Sequence, residues 1–196
     1  MMRKFPFFKT HFYQTIILTF IFILSLGGCS KYSDEVQANL TKLKTTKSCP
    51  DCDLRGIELI SFDLKGANLS GANLTGANLR RSDLTGANLT DTNLTDADLL
   101  GVNLTGATLT NTNLTGVKLS YANINGVEMS GAVLKDAHMN SSKVVNSKIR
   151  NSDMTGANLY NADLTGTKVS KETLKDAVLC KTIMPSGQQD DSGCKR

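Results

Sequence analysis

Two cysteines three positions apart, in Cys49-Pro50-Asp51-Cys52, are the sharpest chemical feature of this sequence. Thiols at that spacing serve dithiol–disulfide exchange when one is held as a thiolate, or supply half of a four-ligand zinc site. Either chemistry needs company. A redox pair calls for a thioredoxin-like βαβ frame and a zinc site for a second ligand pair nearby, and neither pattern surrounds residues 49–52. A third reading needs nothing more: a structural role as core thiols or a local disulfide. Histidine is scarce, with His138 the only one beyond His11, and no glycine-rich loop is built to cradle a phosphate. Asp and Asn are plentiful enough to suggest paired carboxylates for acid–base work. They recur in fixed register, however, which assigns them to a repeat rather than to a site. No catalytic residue, metal ligand or cofactor is expected.

That repeat is the frame for everything else. From Cys52 to Lys181 the sequence divides into 26 five-residue units without insertion or deletion. The third residue of each unit, here its centre, runs from Leu54 to Leu179; it is always aliphatic, and Leu in 19 units. Two residues before the centre, 23 of the 26 are Ala, Ser, Thr, Cys or Val; one before it, 15 are Asn or Asp. Two after it, 20 are Gly, Asn or Asp. A period of five matches neither the 3.6 of a helix nor the 2 of a strand. Such units bury their apolar side only by stacking on copies of themselves. Each offers one large and one small inward side chain, then turns where a positive φ is cheap.

The wording A(D/N)LxG resembles the pentapeptide-repeat family. The resemblance implies an all-β fold, a right-handed quadrilateral β-helix with four units per turn. On that basis 26 units make about 6.5 coils, a rod roughly 31 Å long. Ahead of it, Asp34 and Glu35 suit a first helical turn, Lys42 and Lys44 a last one, and Val36, Leu40 and Leu43 form a narrow apolar stripe. A short helix over Asp34–Thr46, capping the first coil, is expected. The organisation is then a signal peptide at 1–28, a linker and capping helix at 29–48, the β-helix at 49–184, and a tail at 185–196 that closes the far end, where strand edges would otherwise lie open.

In such a rod Cys49 and Cys52 stand at one end, with Cys52 in the inward small-residue column, and Cys180 and Cys194 at the other. A disulfide needs Cα atoms within about 7 Å, so pairing across the ends is ruled out. Cys180–Cys194 would staple the tail over the last coil, a closure worth up to about 3 kcal/mol. The resemblance also raises a regulatory inhibitor of the DNA-gyrase-binding type as the alternative, since quinolone-resistance members mimic DNA with an acidic rod. Residues 52–181 carry 13 Lys+Arg and 13 Asp+Glu, and a neutral rod is a poor duplex mimic. Where the repeat decays, residues 133–150, the Asn/Asp column reads Val133, His138, Lys143 and Lys148. Stacking every fourth unit puts Lys148 beside Glu128 and Lys168, and Lys143 beside Asp163. Lys148, Arg150 and Lys168 form the candidate interaction patch, against the plainer reading of a solvated, partly neutralised face. Leu100, Tyr121, Val145 and Tyr160 are not expected to fall all on one face, so no apolar interface is named.

The first thirty residues belong to targeting. Arg3, Lys4 and Lys9 precede an apolar run from Ile16 to Leu26, too short for the roughly 20 residues of a spanning helix and right for a signal peptide. Leu26-Gly27-Gly28-Cys29 resembles the lipobox of bacterial lipoproteins, which implies cleavage between Gly28 and Cys29 and acylation of Cys29. Ser30 in place of Asp points to the outer membrane in a Gram-negative cell. Removing three cations from the formal +4 leaves about +1, with no field on the scale of nucleic-acid binding. The expectation is a non-enzymatic repeat protein, held to the membrane of the bacterial envelope through Cys29, acting as a structural or protein-interaction scaffold for a protein partner.

Overall fold

The computed structural model describes residues 31–194. The expected signal peptide, the Gly28–Cys29 cleavage point and the acylation of Cys29 lie outside the described residues. The chain divides between Ser33 and Asp34, and every element below belongs to the second unit.

Helix α1, Asp34–Thr46, opens with Asp34 and Glu35 and ends with Lys44, so its charges complement the helix dipole. Its stripe of Val36, Leu40 and Leu43 is buried. Lys47 stops it with a φ of +53°, donating its N–H to the Leu43 carbonyl at 2.9 Å. The Asn39 amide donates to the Asp53 carbonyl at 3.1 Å, tying the helix to the first coil.

From there the backbone coils. Parallel bridges join each side to the side four units on, from Ser48–Asn68 to Asp163–Ile183, and one rung, β1 (Lys148–Ile149) on β2 (Lys168–Val169), pairs over two residues. A rung is held in both directions: the Leu104 N–H donates to the Asn123 carbonyl at 2.8 Å and the Asn123 N–H to the Val102 carbonyl at 2.9 Å. Four five-residue sides complete a coil, and the fold is a right-handed quadrilateral β-helix. The sides stack into four faces, whose centres begin at Leu54 (first), Leu59 (second), Leu64 (third) and Leu69 (fourth) and recur once in every coil.

Every centre from Leu54 to Leu164 is at most 2% exposed, which for each Leu is worth about 1.5–3 kcal/mol. In the second inward column, Ser and Thr are buried at little cost because each hydroxyl has an acceptor. Thr92, Thr112 and Ser147 donate to the carbonyls of Leu69, Leu89 and Ile124, centres of the coil before, at 2.6–2.8 Å. Phe62 is too large for this column and stays half-buried, its ring under the Lys44 ammonium. The Asn/Asp column builds the turn: Asn73 Oδ1 accepts from Thr75 N at 3.1 Å and from Thr75 Oγ1 at 2.6 Å. Every fifth residue from Asp51 to Gly166 then takes a φ between +53° and +72°.

The expectation of 26 unbroken units is corrected near the end. The unit centred on Leu174 forms a single helical turn, α2 (Lys171–Leu174), capped by Ser170, whose Oγ accepts from Thr173 N at 3.0 Å. The reason is Glu172, which would bring an unpaired carboxylate into the inward column. The turn swings Glu172 out while Leu174 remains buried. The ladder resumes at Asn158–Val178. Beyond it, β3 (Thr182–Ile183) pairs antiparallel with β4 (Gln189–Asp190), and Gly193 donates its N–H to the Leu179 carbonyl at 3.1 Å, folding the tail over the last coil.

Candidate functional site

Where α2 leaves the wall, a rung is missing. In the regular wall the N–H of each centre and of each corner residue donates to the following coil. Above Met154 that coil is α2, and Thr173 turns its N–H to its own cap. The N–H groups of Asn151 and Met154 consequently have no acceptor among the described residues. They face an open cleft of about 810 Å³ lined by Arg150, Asn151, Asp153, Met154, Lys168 and Glu172, among others.

The charged side chains around the cleft are balanced. Arg150, Lys168 and Lys175 stand against Asp153, Glu172 and Asp176, and Lys175 pairs with Glu172. The Thr155 hydroxyl, helped by the Thr155 N–H at 2.9 Å, holds the Asp153 carboxyl below the usual carboxylate range. This arrangement can accept a polar segment through backbone donors and charged rims.

The expected patch divides. Arg150 and Lys168 share the cleft, while Lys148 does not line it. Register does place Lys148 between Glu128 and Lys168, and its ammonium lies 2.9 Å from the Glu128 carboxylate. The Ser130 hydroxyl first, and then Lys148, lower the Glu128 carboxyl. Lys143 stacks beside Asp163.

Both cysteine pairs are closed. Cys49 is joined to Cys52, with Cα atoms 5.5 Å apart, and Cys180 to Cys194 at 4.7 Å. Cys49 and Cys52 are both buried. Among the described residues no three His, Cys, Asp or Glu side chains gather as a metal site, and no helix is long and apolar enough to cross a membrane.

Two features escaped the sequence reading. The cleft is one, although a charged residue in the inward column, Glu172, was its available signal. The other is a grouping within the exposed apolar residues. Leu100, Tyr121 and Tyr160 do share a face, because stacking every fourth unit sets them all on the second, its closing corner included; Val145 alone lies on the third. Ile60 and Val178, both exposed, join them there.

The family model described as Pentapeptide repeats matches residues 52–91, 63–101, 97–136, 118–156 and 132–170. Among solved structures, the pentapeptide repeat protein Rfr23 from the cyanobacterium Cyanothece 51142 is 27% identical over 69% of this chain and 95% of its own, with a TM-score of 0.48. A pentapeptide repeat protein from Nostoc Pcc 7120 is 33% identical over 47% of this chain and 78% of its own, with a TM-score of 0.44. A trypsin-treated form of QnrB1, a plasmid-mediated fluoroquinolone resistance protein, is 17% identical over 76% of this chain and 81% of its own, with a TM-score of 0.47. No curated protein matches.

Proposed function

The chain belongs to the pentapeptide-repeat family, and from that premise we propose that it is a non-enzymatic protein-interaction scaffold tethered to the bacterial envelope by lipid at Cys29. Proteins of this family are in general non-enzymatic structural or interaction proteins. The observation that carries the envelope reading is the pair of disulfides, one near each end of the coil. Disulfides persist in oxidising compartments and are rare in the cytosol, which agrees with an export signal ending in Leu26-Gly27-Gly28-Cys29. Acylation with two or three chains gives stable anchoring, at about 0.8 kcal/mol for each buried methylene. The coil would then present its four faces to a partner in the envelope.

Mass spectrometry of the amino-terminal peptide, from fractionated cells making wild type or Cys29→Ala, tests this. The expected result is an acylated Cys29 in the membrane fraction that the variant loses. A soluble protein with Met1 intact and Cys29 unmodified would overturn the anchor.

A further inference from the structure

Resting on the scaffold reading above, we infer that the second face is the docking surface, and that its occupant is a partner protein presenting an acidic strip with apolar residues. Five large apolar side chains are exposed on the body: Ile60, Tyr121, Val133, Tyr160 and Val178. The four-unit register sets four of them on the second face, together with half-buried Leu100. They form a stripe from the first coil to the last, with Arg80 and Arg81 between Ile60 and Leu100. Tyr and Arg are among the residue types that carry most binding energy at protein interfaces.

Charge separates this face from its neighbours. The coil's net zero conceals a division by face, each corner being grouped with the side it ends. The first face holds three cations and six carboxylates; the second, four cations and two carboxylates; the third, two and three; the fourth, four and two. The second face is therefore net positive, and unlike the fourth it pairs that charge with exposed aromatic and aliphatic groups. Arg80 is engaged by Asp98 at 3.3 Å, and Lys181 lies over the Tyr160 ring at 5.8 Å. Arg81 and Lys118 form no ion pair among the described residues and are exposed. An acidic partner complements them. A two-fold pairing of this face with itself would set four cations against four. An anionic membrane is a weaker match, since lipid recognition uses tighter clusters of Lys and Arg, and here two carboxylates intervene.

The test is benzoylphenylalanine placed singly at Tyr121 and Tyr160, with Asn111, Lys135 and Thr165 as positions on the other faces, in the full chain made in its own cells. Irradiation is expected to give a protein adduct from Tyr121 and Tyr160 and little from the other three. The partner peptide in that adduct should be rich in Asp and Glu. Arg81→Glu with Lys118→Glu should lower the adduct roughly tenfold while the circular dichroism of the purified variant stays unchanged. Adducts mainly from Asn111, Lys135 or Thr165 would overturn the face and leave the scaffold standing. An adduct with a second copy of this chain or with lipid, or a yield indifferent to charge reversal, would overturn the acidic partner. No protein adduct from any position would overturn the scaffold reading as well.

Discussion

Thr112 and Leu104 stand in the two inward columns and should tolerate opposite degrees of change. The Thr112 hydroxyl donates to the Leu89 carbonyl at 2.7 Å, and that carbonyl also receives the Thr92 N–H at 3.2 Å. Thr112→Val leaves the carbonyl one donor and keeps the shape, so urea unfolding should show a loss below about 1.5 kcal/mol. Leu104→Asp sets an unpaired charge among stacked Leu side chains, and its circular dichroism should show no cooperative transition. A soluble, cooperative Leu104→Asp product would count against the coil. Carboxylates on the outer wall make a pH prediction. Asp83 is held below the usual range by the Thr85 hydroxyl first, and Asp53 by Arg55 first; Glu128 and Asp153 are lowered as well. Groups whose folded pKa is depressed stabilise the fold above their unfolded values, 3.8 for Asp and 4.5 for Glu, and lose that contribution as pH falls through the folded values. The melting temperature should therefore fall below about pH 4. Asp83→Asn should lessen that fall without harming the fold, because Asn already occupies this column at Asn73 and keeps the acceptor for the turn.

At the scale of the coil corner, two glycines with one backbone conformation should answer differently to the same substitution. A Cβ on Gly76 would meet nothing within 4 Å, whereas one on Gly116 would collide with Asp96 Oδ1, because the corner beneath it carries a side chain. Gly76→Ala should cost only the left-handed conformation, about 1–2 kcal/mol, and Gly116→Ala measurably more. Asp96→Gly added to Gly116→Ala should bring that cost back to the Gly76 level, a coupling that a double-mutant cycle in urea reads directly. Elements of this kind were legible where one local rule repeats. The centres, the corner glycines and the stripe Val36, Leu40 and Leu43 on α1 each answer to a single periodicity. Helix α2 was not, since a count of units keeps its beat through Lys171–Leu174 while the inward position there holds Glu172. Nor was the companionship of Leu100, Tyr121 and Tyr160, which are far apart along the chain and meet on one face only through whole coils combined with their different places within the unit. The missing rung at Met154 follows from both: a local departure, made visible by a neighbour one coil away.

Across the whole coil, interchangeability is the prediction. Deleting Ala87 to Gly106 joins Gly86 to Ala107 in register, so the product should stay β-rich and cooperative while shortening by about 4.8 Å, which small-angle scattering can check. It should lose some stability, because the Arg80–Asp98 ion pair at 3.3 Å and the Asn103–Thr85 hydrogen bond at 2.9 Å disappear with the coil. An unfolded product would mean that coils are individually matched to their neighbours. The even spacing of the bridges, always four units apart, also has a mechanical meaning. Drawn apart from its two ends, a wall whose coils lean only on their neighbours should yield one turn at a time. Each release frees a single coil, at most about 72 Å of extended chain, less the roughly 4.8 Å the turn had occupied. A force–extension trace would then be a sawtooth with teeth about 67 Å apart, interrupted where the Cys49–Cys52 and Cys180–Cys194 bridges withhold their loops from the pull.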